Sequence, residues 1–460
     1  MSANSANSPL QEHLKNVGKM LCIIGFIGMA ALAAKPELAA SGTSWTPFIL
    51  TLGIISLASL VWISAIYSGT VPGIKHDGIM FSGEKSRGTL AWAFGVGITA
   101  FYVILYFYEK LQSVGLPPVL DGWVAMLQPM AQLLGRGDSD KWFLYGTFYT
   151  LAVLIMGWRM LYKYRHNRYQ MIRTLSVMFF QLGFAFLLPN FLRSIQQPEF
   201  YFSYFWPLKY DYLFPSTFKD LTSKGNLGVF MFFWGAAMAL IATPVLTYLF
   251  GKRWYCSWVC GCGGLAETLG DPFRHLSDKS ETSWIIERWM IHLVLVVIVL
   301  LTAMLWLNDL YGHALFGGWT MTIKEGYGFY IGAIFSGVIG VGFYPIMGSR
   351  VWCRFGCPMA AILGIFQRCF SRFRITTNGA QCISCGNCST YCEMGIDVRA
   401  YAQRQENIVR ASCVGCGVCA AVCPRGVLKL ENGPSYKSRF AEGGSPLVTL
   451  KDSILNRRAY

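Results

Sequence analysis

The sequence predicts a polytopic α-helical membrane protein of about eight transmembrane helices, followed by a small C-terminal α+β domain built around cysteine. Three observations predict it. The 460-residue chain is 54% hydrophobic and only 14% charged, with a mean hydropathy of +0.41, whereas soluble domains carry about 25% charge. Its apolar residues gather into runs near the ~20 needed to cross a bilayer. Its fifteen cysteines are lopsided, with only Cys22 before residue 256.

The first eighteen residues are polar. The apolar run from Lys19 to Ala34 has a basic flank and an Ala-rich end, so it reads as a first span or a cleavable signal; the spans that follow favour the first. Seven more apolar stretches lie at 46–67, 88–108, 142–162, 171–192, 227–250, 287–307 and 327–347. Basic residues concentrate in alternate connections: Lys75, Lys85 and Arg87; then Arg159, Lys163, Arg165, Arg168 and Arg173; then Lys252, Arg253, Arg274, Lys279 and Arg288. The positive-inside rule turns these into cytoplasmic loops and puts both termini in the cytoplasm. The net charge of +15 is then an orientation signal, and nucleic acid is not a partner, because no aromatic-basic groove motif is present. Trp45, Trp62, Trp142, Trp158, Trp254 and Trp306 read as interface anchors. The division expected is 1–170 for an unassigned N-terminal membrane region, 171–375 for a redox core, 376–432 for a cytosolic iron–sulfur domain and 433–460 for a polar basic tail.

The C-terminal domain is carried by two matched runs. Cys382-x2-Cys385-x2-Cys388-x3-Cys392 is followed by Cys413-x2-Cys416-x2-Cys419-x3-Cys423-Pro424. This is the bacterial two-cluster ferredoxin spacing, in which the fourth cysteine of each run ligates the other cluster. One [4Fe-4S] cluster is expected on Cys382, Cys385, Cys388 and Cys423, and a second on Cys413, Cys416, Cys419 and Cys392. Zinc seldom uses a paired three-plus-one spacing, and disulfides do not suit a cytosolic domain.

A second constellation is an internal repeat. Gly251-Lys-Arg253-Trp-Tyr-Cys256-Ser-Trp-Val-Cys260 aligns without a gap on Gly348-Ser-Arg350-Val-Trp-Cys353-Arg-Phe-Gly-Cys357, and each copy follows an apolar span directly. Cys-x3-Cys would put two thiols on one helical face. Two such pairs, Cys256/Cys260 and Cys353/Cys357, would make a four-thiolate cage for Cu(I), zinc or a further iron–sulfur cluster. Buried apolar cysteines are the plainer reading, and the matched repeat argues against it. Cys262 has no counterpart in the second copy and is a spare ligand or resolving thiol; Cys22 and Cys369 are bystanders. Arg253 and Arg350 would offset thiolate charge or hold lipid phosphate.

Twin Cys-x3-Cys elements at span ends, followed by a two-cluster domain, resemble the NapH-, NosR- and CcoG-type membrane polyferredoxins over roughly residues 170–430. The resemblance implies a membrane redox component. NapH- and NosR-like members are associated with quinol-linked electron supply to reductases, and CcoG-like members with copper reduction during oxidase assembly. A quinone and other redox subunits are thus implied partners, with copper handling or a sensing and scaffolding role as the other implied classes. No large flavin domain of the NosR type or extracytoplasmic domain of the CcoG type is present in this sequence, which makes NapH the nearest type. Departures are Gly261 where the family pattern has Pro, the added Cys262, and Glu393 in place of Pro after Cys392. A carboxylate there would lower the potential of the neighbouring cluster.

No Cys-x2-Cys-His haem attachment, phosphate loop or hydrolase triad occurs. Of the six histidines (His13, His76, His166, His275, His292, His313), only His292 falls clearly inside a span, which argues against a two-His b-haem. His275 and His313 lie near span ends, as interfacial contacts or as proton acceptors for a quinone. Glu267, Asp271 and Glu287 read as ordinary loop acids. With no intramembrane haem to bridge a ~30 Å core, electrons would exchange with a quinone, another subunit or the span-end thiolates.

Overall fold

The computed structural model describes residues 9–39, 44–68 and 88–433. The basic segment 75–87, His76 and the tail after Gly433 lie outside the described residues.

Among the described residues seven helices are long and apolar enough to cross a membrane: Pro9–Ala34, Thr46–Tyr67, Ala91–Ser113, Lys141–Lys163, Arg168–Ser194, Asn226–Phe250 and Glu281–Leu310. Only 22–39% of the most apolar stretch of each is buried within the protein. The remainder turns Leu, Ile, Val and Phe outward, as lipid-facing helices do. The eighth apolar stretch also folds as helix, Trp319–Tyr327 running into π-helical turns over Gly328–Ile339 and then Gly340–Gly342. Lys324, Glu325 and the repeated glycines Gly326, Gly328 and Gly332 dilute it, so it does not join the other seven by composition.

The chain divides into two compact units. The first takes the described residues before 69 together with 101–166 and 178–200. Its helices Pro9–Ala34 and Thr46–Tyr67 approach closely because glycine stands at the crossing: a Cβ on Gly18 would lie 2.9 Å from Trp62 Cβ. Leu105, Leu127 and Leu144 form its fully buried centre. Arg159 and Lys163, expected among the exposed orienting charges, are instead buried, and Arg159 Nε donates to Tyr67 Oη at 2.8 Å. Cys22 Sγ lies 3.6 Å from Ser59 Oγ.

The second unit takes described residues 88–100, 167–177 and 201–433. Its sequence repeat is a structural repeat. Asn226–Phe250 stops at Gly251 (φ +72°, ψ 177°), and Tyr344–Met347 stops at Gly348 (φ +91°, ψ 174°). Both glycines hold a conformation that a side chain disfavours. A short helix follows each, Arg253–Cys256 or Val351–Phe355, and then a second helix, Gly261–Thr268 or Pro358–Phe370. A Cβ on Gly251 would also lie 2.6 Å from Phe373 Cβ. Gly251→Ala should therefore cost more than Gly137→Ala, where φ is +88° but nothing lies within 4 Å. Backbone strain alone accounts for about 1–2 kcal/mol, so a paired melting comparison in detergent should rank the two variants in that order.

The C-terminal segment is closed by an antiparallel pair, Phe373–Thr377 with Leu428–Asn432, Ile375 facing Leu430. Everything between these strands is loop and short helix, and it carries the eight paired-run cysteines.

Candidate metal centres

Each three-cysteine loop wraps by taking two residues into the left-handed region. These are Ser384 (φ +56°) and Gly386 (φ +78°) in the first run, Gly415 (φ +64°) and Gly417 (φ +73°) in the second. Such turns point successive backbone N–H groups inward, a concavity suited to an anionic cluster. Cys382, Cys385 and Cys388 line one small cavity together with Cys423; Cys413, Cys416 and Cys419 line another together with Cys392. All fifteen cysteines are free. Among the described residues no three Cys, His, Asp or Glu side chains converge as a single metal ion requires. The thiols instead stand around two near-equal spaces, which is the arrangement a polynuclear group needs.

The two cavities differ in setting. The loop of the Cys392 cavity offers its carbonyl groups to side chains of the surrounding core. Gln170 Nε2 donates to Cys416 O at 2.7 Å and Tyr169 Oη to Gly415 O at 2.8 Å. Ser257 Oγ donates to Val414 O at 2.9 Å, Gln367 Nε2 to Cys413 O at 2.7 Å and Lys252 Nζ to Ala411 O at 3.2 Å. Satisfying these buried carbonyls fixes the loop against the twin-cysteine elements. Arg253 packs its guanidinium over Phe373 at 4.7 Å. The Cys423 cavity, by contrast, is rimmed by exposed Ile383, Cys385, Pro424 and Arg425.

The twin Cys-x3-Cys elements do not lie on one helical face. Cys256 ends its short helix, and Cys260 is extended (φ −67°, ψ 124°) before Gly261–Thr268. Cys353 lies inside Val351–Phe355, and Cys357 (φ −82°, ψ 111°) caps Pro358–Phe370, its Sγ accepting from Ala360 N at 3.4 Å. The break is the same in both copies: Cys260 N donates to Tyr255 O at 2.8 Å and Cys357 N to Trp352 O at 2.9 Å. Pro358 cannot continue the preceding helix, and in the first copy Gly261 serves the same restart. The consequence is favourable for ligation, because a thiolate at a helix N-terminus faces the positive end of the dipole. All four thiols are buried. Cys262 stays beside them, half-buried and within hydrogen-bond reach of Cys260.

Between the twin elements and the Cys392 cavity lies a buried ion cluster that the sequence did not announce. Arg350 pairs with Glu267 at 2.6 Å and with Glu393 at 3.0 Å, donates to Cys256 O at 3.2 Å and approaches Cys353 Sγ at 3.6 Å. Arg274 pairs with Asp271 at 2.7 Å and with Glu393 at 2.8 Å, and Arg173 pairs with Glu267. Three guanidinium groups thus face three carboxylates, and all six residues are buried. Beside them Arg354 pairs with Glu287 at 2.8 Å. Much of the basic charge read as topological is therefore internal, and Glu267, Asp271 and Glu287 are structural partners and not loop acids. Glu393 is no bare charge either. Burial pushes its carboxyl up, but Arg274, Arg350 and Arg173 outweigh that and hold it below its usual range.

Burial has the opposite outcome at the thiols. It pushes Cys256, Cys388 and Cys416 up to about 12 and Cys413 up to about 11, from an ordinary 9.0. A raised acid pKa means the folded metal-free protein holds protons that the unfolded chain releases, so the stability this confers is complete below pH 9 and is lost as pH climbs towards 12. Metal-free protein should therefore unfold across about pH 9–12, whereas thiolates held by metal have no proton to lose. Circular dichroism against pH on loaded and stripped protein checks this; identical alkaline limits would contradict it.

Of the other residues singled out, Cys369 is exposed. His292 is exposed, with its Nδ1 2.5 Å from Arg288 O, and His313 contacts Asn308 at 3.3 Å. Trp254 and Trp306 spend their N–H groups inside the protein, on Thr247 Oγ1 and Leu213 O.

Comparison with known proteins agrees with this inventory. A 4Fe-4S dicluster domain matches residues 374–424, and a 4Fe-4S binding domain matches twice, at 230–280 and 329–377, once over each copy of the repeat. The chain is 26% identical over 184 residues to the "Putative electron transport protein YccM" of Escherichia coli (strain K12), an alignment spanning 35% of this chain and 47% of that relative. No solved structure matches. The chain is a mostly helical protein with apolar spans and a C-terminal 4Fe-4S ferredoxin domain, similar in part to an electron transport protein.

Proposed function

We propose that this protein is an electron-transfer subunit of a bacterial inner membrane, of NapH-like type, that connects a lipid-soluble or membrane-bound donor or acceptor to a cytoplasmic partner. The observation that carries the reading is the docking of the 411–416 loop onto the twin-cysteine elements, while the Cys423 cavity opens outward. When bound, 4Fe-4S clusters supply one-electron transfer at a potential set by charge, hydrogen bonds and exposure. Cys382, Cys385, Cys388 and Cys423 would hold the outer cluster, and Cys392, Cys413, Cys416 and Cys419 the inner one. Cys256, Cys260, Cys353 and Cys357 would hold a third, which the double match of a 4Fe-4S binding domain favours over copper. Lys252, Ser257 and Gln367 fix the spacing between the third and inner sites, and Arg350 links them by touching both Cys353 and the neighbour of Cys392. The quinone pool is the membrane-side partner in this reading, and a reductase or oxidase system lies at the other end.

The test is an anaerobic preparation assayed for iron, sulfide and copper, followed by electron paramagnetic resonance after quinol and after dithionite. About eight irons fill the ferredoxin domain and about twelve fill all three sites. Reduced iron–sulfur signals are expected with either reductant. Copper in place of the last four irons, lost in Cys256→Ser, would establish copper handling instead; the soft donor Cys262 beside Cys260 would then belong to that site.

A further inference from the structure

Lys252 follows the glycine that ends Asn226–Phe250, and it is only 1% exposed. Its Nζ donates to Ala411 O at 3.2 Å, two residues before Cys413, and its own carbonyl accepts from Cys256 N at 3.1 Å. Its backbone N–H is spent on Gln367 Oε1 at 2.7 Å. Among the described residues no carboxylate lies within ion-pair distance of this ammonium. The neighbouring ion cluster does not spare one, since Arg173, Arg274 and Arg350 already take up Glu267, Asp271 and Glu393. A cation buried without an opposite charge is costly, and buried charges are ordinarily paired.

Neither the turn nor the loop contact requires a lysine. The second copy of the repeat makes the same break at Gly348 with Ser349 in the aligned position. A loop carbonyl needs only a neutral donor, such as the Ser257 hydroxyl at Val414 O or the Gln367 amide at Cys413 O. What the ammonium adds is charge, and the groups that feel it are thiols of two different sets. Burial pushes Cys256, Cys353 and Cys413 up, and Lys252 pulls each of them back. Arg350 acts on the first two as well, but Glu267 and Glu393 already neutralise it. Arg410 acts on Cys413 from a half-buried position over Trp284, at 4.7 Å.

We propose that Lys252 is a counter-ion shared by the third and inner clusters, one ammonium that compensates the negative charge of both and eases the arrival of an electron at either. The assignment rests on the electron-transfer reading, with iron–sulfur at both sites. Thiolates bound to iron are anions, and an added electron makes the centre more negative. A fixed cation beside two such centres therefore raises the potential of each. The Cys423 cavity has no lining residue in common with the inner one, which makes the outer cluster an internal reference. Lys252 is in these terms a positioning residue for charge and not a ligand.

The experiment is a potentiometric titration with dithionite of the anaerobically purified full chain in detergent, followed by electron paramagnetic resonance, with iron counted in each sample. The outer signal is the one that Cys388→Ser removes, the inner the one that Cys419→Ser removes, and the third the one that Cys256→Ser removes. In Lys252→Met, reduction of the inner and third clusters should become about tenfold less favourable, a fall of about 59 mV for one electron, while the outer potential holds. Ser257→Ala frees the same loop at Val414 O without touching charge, and it should move either potential by less than half as much. Equal shifts in the two variants, unmoved potentials, a fall confined to one cluster or a shift common to all three each overturn the proposal. Should Lys252→Met lose iron, Lys252→Gln takes its place, keeping a donor for Ala411 O without the charge. Should both lose it, Lys252→Arg decides: restored iron supports the shared charge, and missing iron overturns it. The unaltered protein separates the two levels. Three clusters indifferent to Lys252, or a third site without iron, refute the shared counter-ion alone, whereas absence of all iron refutes the electron-transfer reading beneath it.

Discussion

Replacing Arg350 with methionine should cost the protein about 3–5 kcal/mol, the range for removing one partner of a buried ion pair. The substitution leaves Glu267 and Glu393 facing each other with one guanidinium fewer, in a site where neither carboxylate reaches water. It also removes the donor at Cys256 O and the positive charge beside Cys353 Sγ. The variant should aggregate or melt well below the parent in detergent. A charge argument makes a sharper claim than destabilisation alone. The three arginines and three acids balance, so adding Glu393→Gln to Arg350→Met restores neutrality and should recover part of the loss, although Glu393→Gln alone is damaging. Thermal melts of the four-member cycle measure that coupling directly. Strictly additive losses would mean that Arg350 acts through packing and not through charge. In whatever Arg350→Met protein retains its clusters, loss of positive charge beside a thiolate should lower the potential of the twin-cysteine site.

The second large effect concerns ligand exchange between the two runs. Cys423→Ser should remove about four irons and the same resonance signal that Cys388→Ser removes, although the two residues belong to different runs. Cys392→Ser should instead match Cys419→Ser. The cavities group the residues in this crossed way. If Cys392→Ser and Cys388→Ser erase the same signal, each run serves its own cluster and the crossed assignment is wrong. Cys392 carries a further liability, since Glu393 beside it anchors the ion cluster. Its loss should lower thermal stability more than loss of Cys423 at the exposed rim.

What could be read from the sequence follows from how local each feature is. A span is a run of some twenty apolar residues, and a cluster loop is a fixed cysteine spacing, so both are visible in a short window. The stretch 327–347 reads as an eighth span, yet glycines and the Lys324–Glu325 pair at the start of its helix dilute it below the seven helices that are apolar enough to cross. The ion cluster lay out of reach. Arg173, Glu267, Arg350 and Glu393 come from four separate segments, and each alone looks like an ordinary surface charge near a span end. The twin elements were legible as a repeat but not in their shape. Pro358 marked where the second copy breaks, yet the first copy has Gly261 there, and an i,i+4 face was the simpler expectation.

The uneven setting of the two ferredoxin cavities bears on how the protein would fail in air. Cys385 and its neighbours Ile383 and Pro424 stand at the surface, while Cys413 and Cys419 are sealed behind the carbonyl contacts of their loop. Dioxygen and chelators therefore meet the outer site first, and oxidative damage to thiolates follows exposure. Aerated protein should part with iron in two stages, the outlet going before the inner store. Only the outermost centre would then need rebuilding, on a scaffold whose interior had stayed assembled.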